Sequence, residues 1–200
     1  MRLPRTAHTT RPWRIHAIAY DFRVEDVWAL PTPGGPDDFP RLVRVFSDGG
    51  PSREEPFPAS PVARVLFAVR WKLGALFGWD RPDAGLGTRV PTLRDRLPED
   101  LRGELPPSRN PRFTAVYQTG DEWAAEIANR TMHGVLHLGW VPDGSGGHRG
   151  QMAVLVKPGG PFGHLYMAAI KPFRYLGVYD SLLRAIGTRW QAQSGTAPRT

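Results

Sequence analysis

A chain of 200 residues is long enough for one domain that buries roughly 70% of its unfolded surface, with no need of disulfide staples or a structural metal. Lys and Arg number 26 against 19 Asp and Glu, a net charge of +7. Only Lys72, Lys157 and Lys171 are lysines, and the arginines are scattered among acidic residues, so the charge marks no nucleic-acid surface. The absence of cysteine excludes disulfides, thiolate metal sites and thiol redox chemistry.

Residues 1–12 are expected to be a flexible lead-in, 13–191 a single domain, and 192–200 a flexible tail. Met1 to Arg14 carries charge without an apolar run, so a cytoplasmic location is expected and the acceptor triplet Asn129-Arg130-Thr131 reads as accidental. The two most apolar stretches are interrupted by Arg64, Arg70 and Lys72, and by His164, Lys171 and Arg174, too often to cross a bilayer.

Trp13 to Arg23 alternates and predicts an opening strand; Glu25 to Leu30 predicts one helical turn stopped by Pro31. Asp37 or Asp38 can cap a short helix carrying Phe39, Leu42, Val43 and Phe46. Ser60 and Pro61 then open an amphipathic helix to Phe77, read as a surface helix packed on the core, with weak docking on acidic lipid as the sharper alternative. Prolines accumulate between Arg81 and Arg112. There Leu93, Leu97, Leu101 and Leu105 recur every fourth residue, predicting a short helix near Pro98 and leucines packed on the core rather than a lid.

Three strand-like segments follow, Phe113 to Gln118, Glu122 to Ala128 and Thr131 to Val141, and after a glycine-rich turn a fourth from about Arg149 to Lys157. Gly144-Ser145-Gly146-Gly147 joins two strands instead of leading from strand to helix, so it is neither a phosphate cradle nor a nucleophile elbow. No strand followed by Gly-x-Gly-x-x-Gly and a helix is present, and no cofactor is expected.

With Asn129-Arg130 as a two-residue turn, Glu126 faces His133, Trp123 faces Leu136 and Glu122 faces His137. One face of the hairpin then collects Trp123, Ala125, Ile127, Met132, Gly134, Leu136, Leu138 and Trp140. The other presents the four acid and imidazole side chains, expected in solvent as cross-strand pairs. Were that face to border a cavity, Glu126 and His133 would be the candidate proton-transfer pair. Two His and two Glu lack any recognised ligand motif, and no metal is expected.

In the closing helical pattern, Phe162, Leu165, Ala169 and Phe173 share one face. Tyr175, Tyr179, Leu182, Ile186 and Trp190 form another, with Pro172 and Gly177 predicting a kink between them. A kink beneath a sheet leaves space for a small apolar or amphipathic molecule. The lining residues expected are Trp123, Ile127, Met132, Leu136 and Trp140 from the sheet, with Tyr166, Phe173 and Tyr175 from the helix.

The run from Glu122 through His133 and His137 to Trp140, the strand from Gln151 to Lys157, and Tyr166 to Tyr175 resemble a domain-of-unknown-function family of bacterial proteins. That family is similar to the START-like, polyketide cyclase and Bet v 1-like superfamily, and its domain sometimes follows an epimerase-like NAD-binding domain. The resemblance implies an α+β helix-grip fold, a curved antiparallel sheet wrapped around a long kinked C-terminal helix, with a hydrophobic cavity and no known substrate. Relatives carry a His just after the Pro-Phe pair, where this chain has Arg174 and Tyr175. An enzyme of cyclase, dehydratase or hydrolase type using Glu126 and His133, and a module docking through residues 61–77, are the competing readings.

Overall fold

A computed structural model describes residues 1–47, 86–87, 90–103, 113–129, 132–160 and 178–194. The expected amphipathic helix at 61–77, the Pro172 kink, and Tyr166, Phe173 and Tyr175 lie outside the described residues.

Six strands make one antiparallel sheet: β1 (Arg2–Leu3), β2 (Arg23–Ala29), β3 (Thr114–Gln118), β4 (Glu122–Ala128), β5 (Met132–Pro142) and β6 (His148–Pro158), in the order β1-β2-β6-β5-β4-β3. The fold is α+β, a curved, unclosed sheet with a C-terminal helix, α4 (Val178–Ser194); α3 spans Phe39–Ser47.

Near the N-terminus two expectations are corrected. The predicted opening strand contains the short helix α2 (Ile15–Ile18), because Ile15, Ile18 and Ala19 have the three- and four-residue spacing that puts them on one buried helical face. The predicted helical turn is β2. Its Val27 belongs to one core and its neighbour Trp28 to the other, as strand geometry requires when both faces of a sheet are covered. Residues 1–12 carry β1 and α1 (Thr6–Thr9), and His8 is fully buried.

The hairpin register is displaced by two residues from expectation. Asn129 N–H donates to the Met132 carbonyl at 3.0 Å, which moves the tip one residue on, so Glu122 faces Gly139, Trp123 faces Leu138 and Glu126 faces Val135. A displacement of two preserves every side chain's face, since strand side chains repeat with period two. The partners change and the two faces do not.

Both faces are covered. On the apolar one, Trp123, Ala125, Leu138, Trp140 and Met152 meet Phe39, Leu42 and Phe46 of α3 and Tyr179, Ile186 and Trp190 of α4. Indole N–H groups lock this layer: Trp140 Nε1 donates to Gly35 O at 2.9 Å and Trp190 Nε1 to Pro33 O at 3.0 Å. Tyr179 stacks on Trp28 with centroids 4.5 Å apart and donates its hydroxyl to Asp26 at 3.1 Å.

On the other face lie Trp13, Ile15, Ile18, Leu93 and Leu97, packed on Val116, Tyr117, Ala124, Val135, Ala153 and Leu155. Leu93 opens one 3-10 turn, Leu93–Arg96, and Pro98 immediately precedes a second, Glu99–Leu101. Leu93 and Leu97 therefore cover the sheet, with Leu101 packed at the margin, while Leu105 lies outside the described residues.

The Gly144 to Gly147 turn closes the β5–β6 hairpin. Asp143 Oδ1 accepts from Ser145 N, Ser145 Oγ and Gly147 N at 2.7, 2.8 and 3.1 Å, so these donors serve the turn itself. No described helix is long and apolar enough to cross a membrane.

Candidate functional site

The acid and imidazole face of the hairpin is a buried polar layer. Glu122 is 4% exposed, Glu126 0%, His133 7% and His137 0%, which overturns the expectation that the pairs sit in solvent. What covers them is the N-terminal segment and residues 92–97, neither of which announces itself as a cover by hydrophobic alternation.

Two similar clamps are built here. Glu122 accepts from Arg14 N at 2.9 and 3.0 Å, from the Tyr117 hydroxyl at 2.8 Å and from His137 Nε2 at 3.1 Å. Glu126 accepts from Leu93 N at 3.2 and 3.0 Å, from the Thr92 hydroxyl, and from His133 Nε2 at 2.7 Å. In both, one carboxylate takes a backbone N–H from the start of a short helix, one hydroxyl and one imidazole. Buried charge is tolerated where its lone pairs are occupied in this way.

The pair Glu122 and His137 is an ionised carboxylate held by a neutral imidazole. Burial pushes the Glu122 pKa up, but hydrogen bonds from His137, Arg14 N–H and Tyr117 outweigh it, leaving the carboxyl below its usual range. Burial is the largest influence on His137 and leaves its pKa lowered, despite the favourable Glu122 contact. Burial first, then the Glu122 charge, push the Tyr117 phenol far above its ordinary range, so it remains a donor.

These protonation states direct a chain of hydrogen bonds. A carboxylate only accepts, so His137 Nε2 carries the proton, and its Nδ1 is then a bare acceptor in the neutral ring. His8 Nε2 lies 3.1 Å from that Nδ1 and must donate to it. The His8 pKa is pushed down to about 3, by burial above all and then by His137 and His16, so His8 is neutral and its Nδ1 is also a bare acceptor. That atom is buried and has no hydrogen-bond partner among the described residues. The His16 ring packs edge-on against His8 with centroids 4.9 Å apart, and its Nε2 donates to His8 O at 3.4 Å.

His16 leads to a cleft of about 340 Å³ on this same side of the sheet. Ala19, Phe22, Val24 and Leu155 supply its apolar lining; Arg5, Thr9, His16, Tyr20 and Arg23 supply polar groups. Phe22 also packs edge-on against the His133 ring at 4.9 Å, so the cleft abuts the Glu126 clamp and reaches the Glu122 clamp through His16 and His8.

The sheet residues expected to line a cavity divide. Trp123 and Trp140 are buried in the layer beneath α3 and α4, whereas Ile127, Met132 and Leu136, at the other end of the same face, are half-buried. Glu126 and His133 do meet, as a diagonal pair in the observed register. Pattern reading missed His8, Arg14, Thr92, Leu93 and Tyr117 as members of the polar layer. Thr92 alone had a local signal, a hydroxyl residue immediately before a short helix; its Oγ accepts from Arg94 N at 3.2 Å. Among the described residues no group of three or more His, Asp or Glu is placed to hold a metal ion.

Searches of curated proteins and of solved structures find no match. A family model described as "Protein of unknown function (DUF2867)" matches residues 18–181, a span that contains α3, β2 to β6 and both clamping carboxylates, and the chain belongs to that family.

Proposed function

We propose that this domain binds a small amphipathic molecule, and that the binding site is the cleft beside the polar layer. The observation that carries the reading is the cleft's composition: an apolar floor of Ala19, Phe22, Val24 and Leu155 beneath a polar rim, at a volume near the lower end of small-molecule sites. Tyr20 on that rim is 74% exposed, an aromatic ring of the kind a bound molecule would cover. In this reading Glu126 and His133 are tethers for residues 92–93 rather than a proton-transfer couple, because three donors already occupy the carboxylate.

A second site for the same activity is the sheet face toward the C-terminal helix, in a helix-grip arrangement like that of START-like proteins. The half-buried state of Ile127, Met132 and Leu136 favours it, with Tyr166, Phe173 and Tyr175 as the proposed opposite wall.

Native mass spectrometry of protein purified from its own host tests both, by looking for a retained small molecule in wild type, Val24→Trp and Leu136→Trp. Loss of the molecule in Val24→Trp alone supports the cleft, and loss in Leu136→Trp alone moves the site to the other face. Wild-type protein that retains nothing, and whose NMR spectrum is unmoved by medium-chain amphipaths, overturns the binding reading altogether.

A further inference from the structure

Charge around the cleft is one-sided. Arg5 and Arg23 both line it, and among the described residues no Asp or Glu does. Arg5 is partly compensated: its Nη2 lies 3.6 Å from Glu25 Oε2, and its Nε donates to the Glu25 carbonyl at 3.4 Å. Arg23, exposed at the first position of β2, forms no ion pair among the described residues. The nearby carboxylate of Asp21 is engaged elsewhere, by Arg96 at 2.6 Å and Lys157 at 2.7 Å, so it does not neutralise Arg23.

The cleft's apolar groups come from the sheet and from the segment before it: Val24 and Leu155 from β2 and β6, Ala19 and Phe22 from the chain leading into β2. Val24 has Leu155 as its Cα partner on β6, and the two form part of the apolar floor of a cleft that Arg23 also lines. Arg5 enters the same space from the start of α1, as does Thr9 from its end. A neutral amphipath would leave Arg23 uncompensated. An anionic headgroup gives its planar fork two parallel acceptors while the tail covers Phe22 and Val24.

We propose that the cleft is selective for amphipaths whose polar end is an oxyanion, a carboxylate or a phosphate monoester, with Arg23 as the principal headgroup contact and Arg5 in support. The inference rests on the cleft being the binding site. It adds the sign of the ligand's charge and the residue that reads it.

Calorimetric titration of the full chain, with NMR shifts of Tyr20 and Val24 to report location, tests it. The probes are a medium-chain alkyl carboxylate, the alkyl phosphate, the alcohol and the trimethylammonium salt of the same chain, and inorganic phosphate, each below its aggregation threshold. The two alkyl anions are expected to bind about ten-fold more tightly than the alcohol, with the ammonium weakest. Added salt should shrink the difference, since an exposed arginine is screened. Arg23→Gln is expected to reduce anion affinity roughly three- to ten-fold and leave the alcohol unchanged, while Arg23→Lys recovers part of the loss.

Equal binding of alcohol and anions at Tyr20 and Val24 overturns the charge preference and leaves the cleft reading standing. No shift at either residue with any probe overturns both. Inorganic phosphate binding as tightly as the alkyl phosphate upholds the oxyanion contact and removes the apolar tail from the ligand.

Discussion

Glu122 and His137 meet at 3.1 Å across β4 and β5, although neither is the other's Cα partner: Glu122 faces Gly139 and His137 faces Ala124. The diagonal contact follows from the two-residue displacement of the hairpin. It places a glycine opposite the carboxylate, and the Trp13 ring fills the space above that glycine. A Cβ on Gly139 would lie 2.7 Å from Trp13 Cζ2 and 2.8 Å from Cη2.

Gly139→Ala is therefore expected to displace Trp13 and loosen the N-terminal segment over the polar layer, at a cost of about 1–3 kcal/mol in urea unfolding. Gly150→Ala provides the matching test on the apolar face, where the added methyl would meet Leu42 at 2.7 Å and Leu30 at 2.9 Å. Unchanged midpoints in both variants would show that the covering layers yield to a methyl group.

The tautomers along Glu122, His137 and His8 can be read directly. Long-range proton–nitrogen correlation NMR should show both rings neutral, protonated at Nε2 and bare at Nδ1, because a carboxylate at one end orders every donor after it. A protonated Nδ1 on His137 would contradict the derived direction of the chain. In Glu122→Gln the amide can present either a donor or an acceptor, so the preference at His137 should weaken.

Glu126 ties residues 92 and 93 to β4, and its removal is expected to free that cover selectively. In Glu126→Ala the Leu93 amide loses its acceptor, and hydrogen exchange there should accelerate more than in β5 and β6. Loss of a buried carboxylate with three donors should also cost about 3–5 kcal/mol overall. Uniform acceleration across the sheet would mean that Glu126 supports the whole fold equally.

Acid is expected to destabilise the protein, beginning well above carboxylate titration. The buried His8 pKa falls from 6.5 to about 3, so between these values the unfolded chain takes up a proton that the folded chain refuses. Stability from this group is complete above pH 6.5 and is lost as pH falls, on the order of 3 kcal/mol by about pH 4. His137 shifts in the same direction. Glu122, lowered from 4.5, adds stability above its unfolded value that disappears on further acidification through its folded value. His8→Phe should flatten the urea-midpoint profile between pH 6.5 and 4; a profile parallel to wild type would remove His8 from this account.

Period-two alternation located β4, β5 and β6 to within a residue or so, and three- and four-residue spacing located α3, because these elements keep their apolar side chains in a repeating register. The same alternation sorted Glu122, Glu126, His133 and His137 onto one face and Trp123, Leu138 and Trp140 onto the other. That sorting survived an error in register, since a shift of two leaves parity intact. β2 escaped because a strand with both sides buried, Val27 against one layer and Trp28 against the other, loses the polar alternation that identifies strands.

Whether the polar face meets water is a long-range matter. It depends on Arg14 reaching Glu122 across 108 residues of chain and Thr92 reaching Glu126 across 34. No local pattern encodes such contacts, because the covering segments are short helices and 3-10 turns held by backbone N–H groups that every non-proline residue possesses. Local chemistry thus set which side chains share a face, and tertiary packing turned that face from a solvated surface into a buried, directed hydrogen-bond layer.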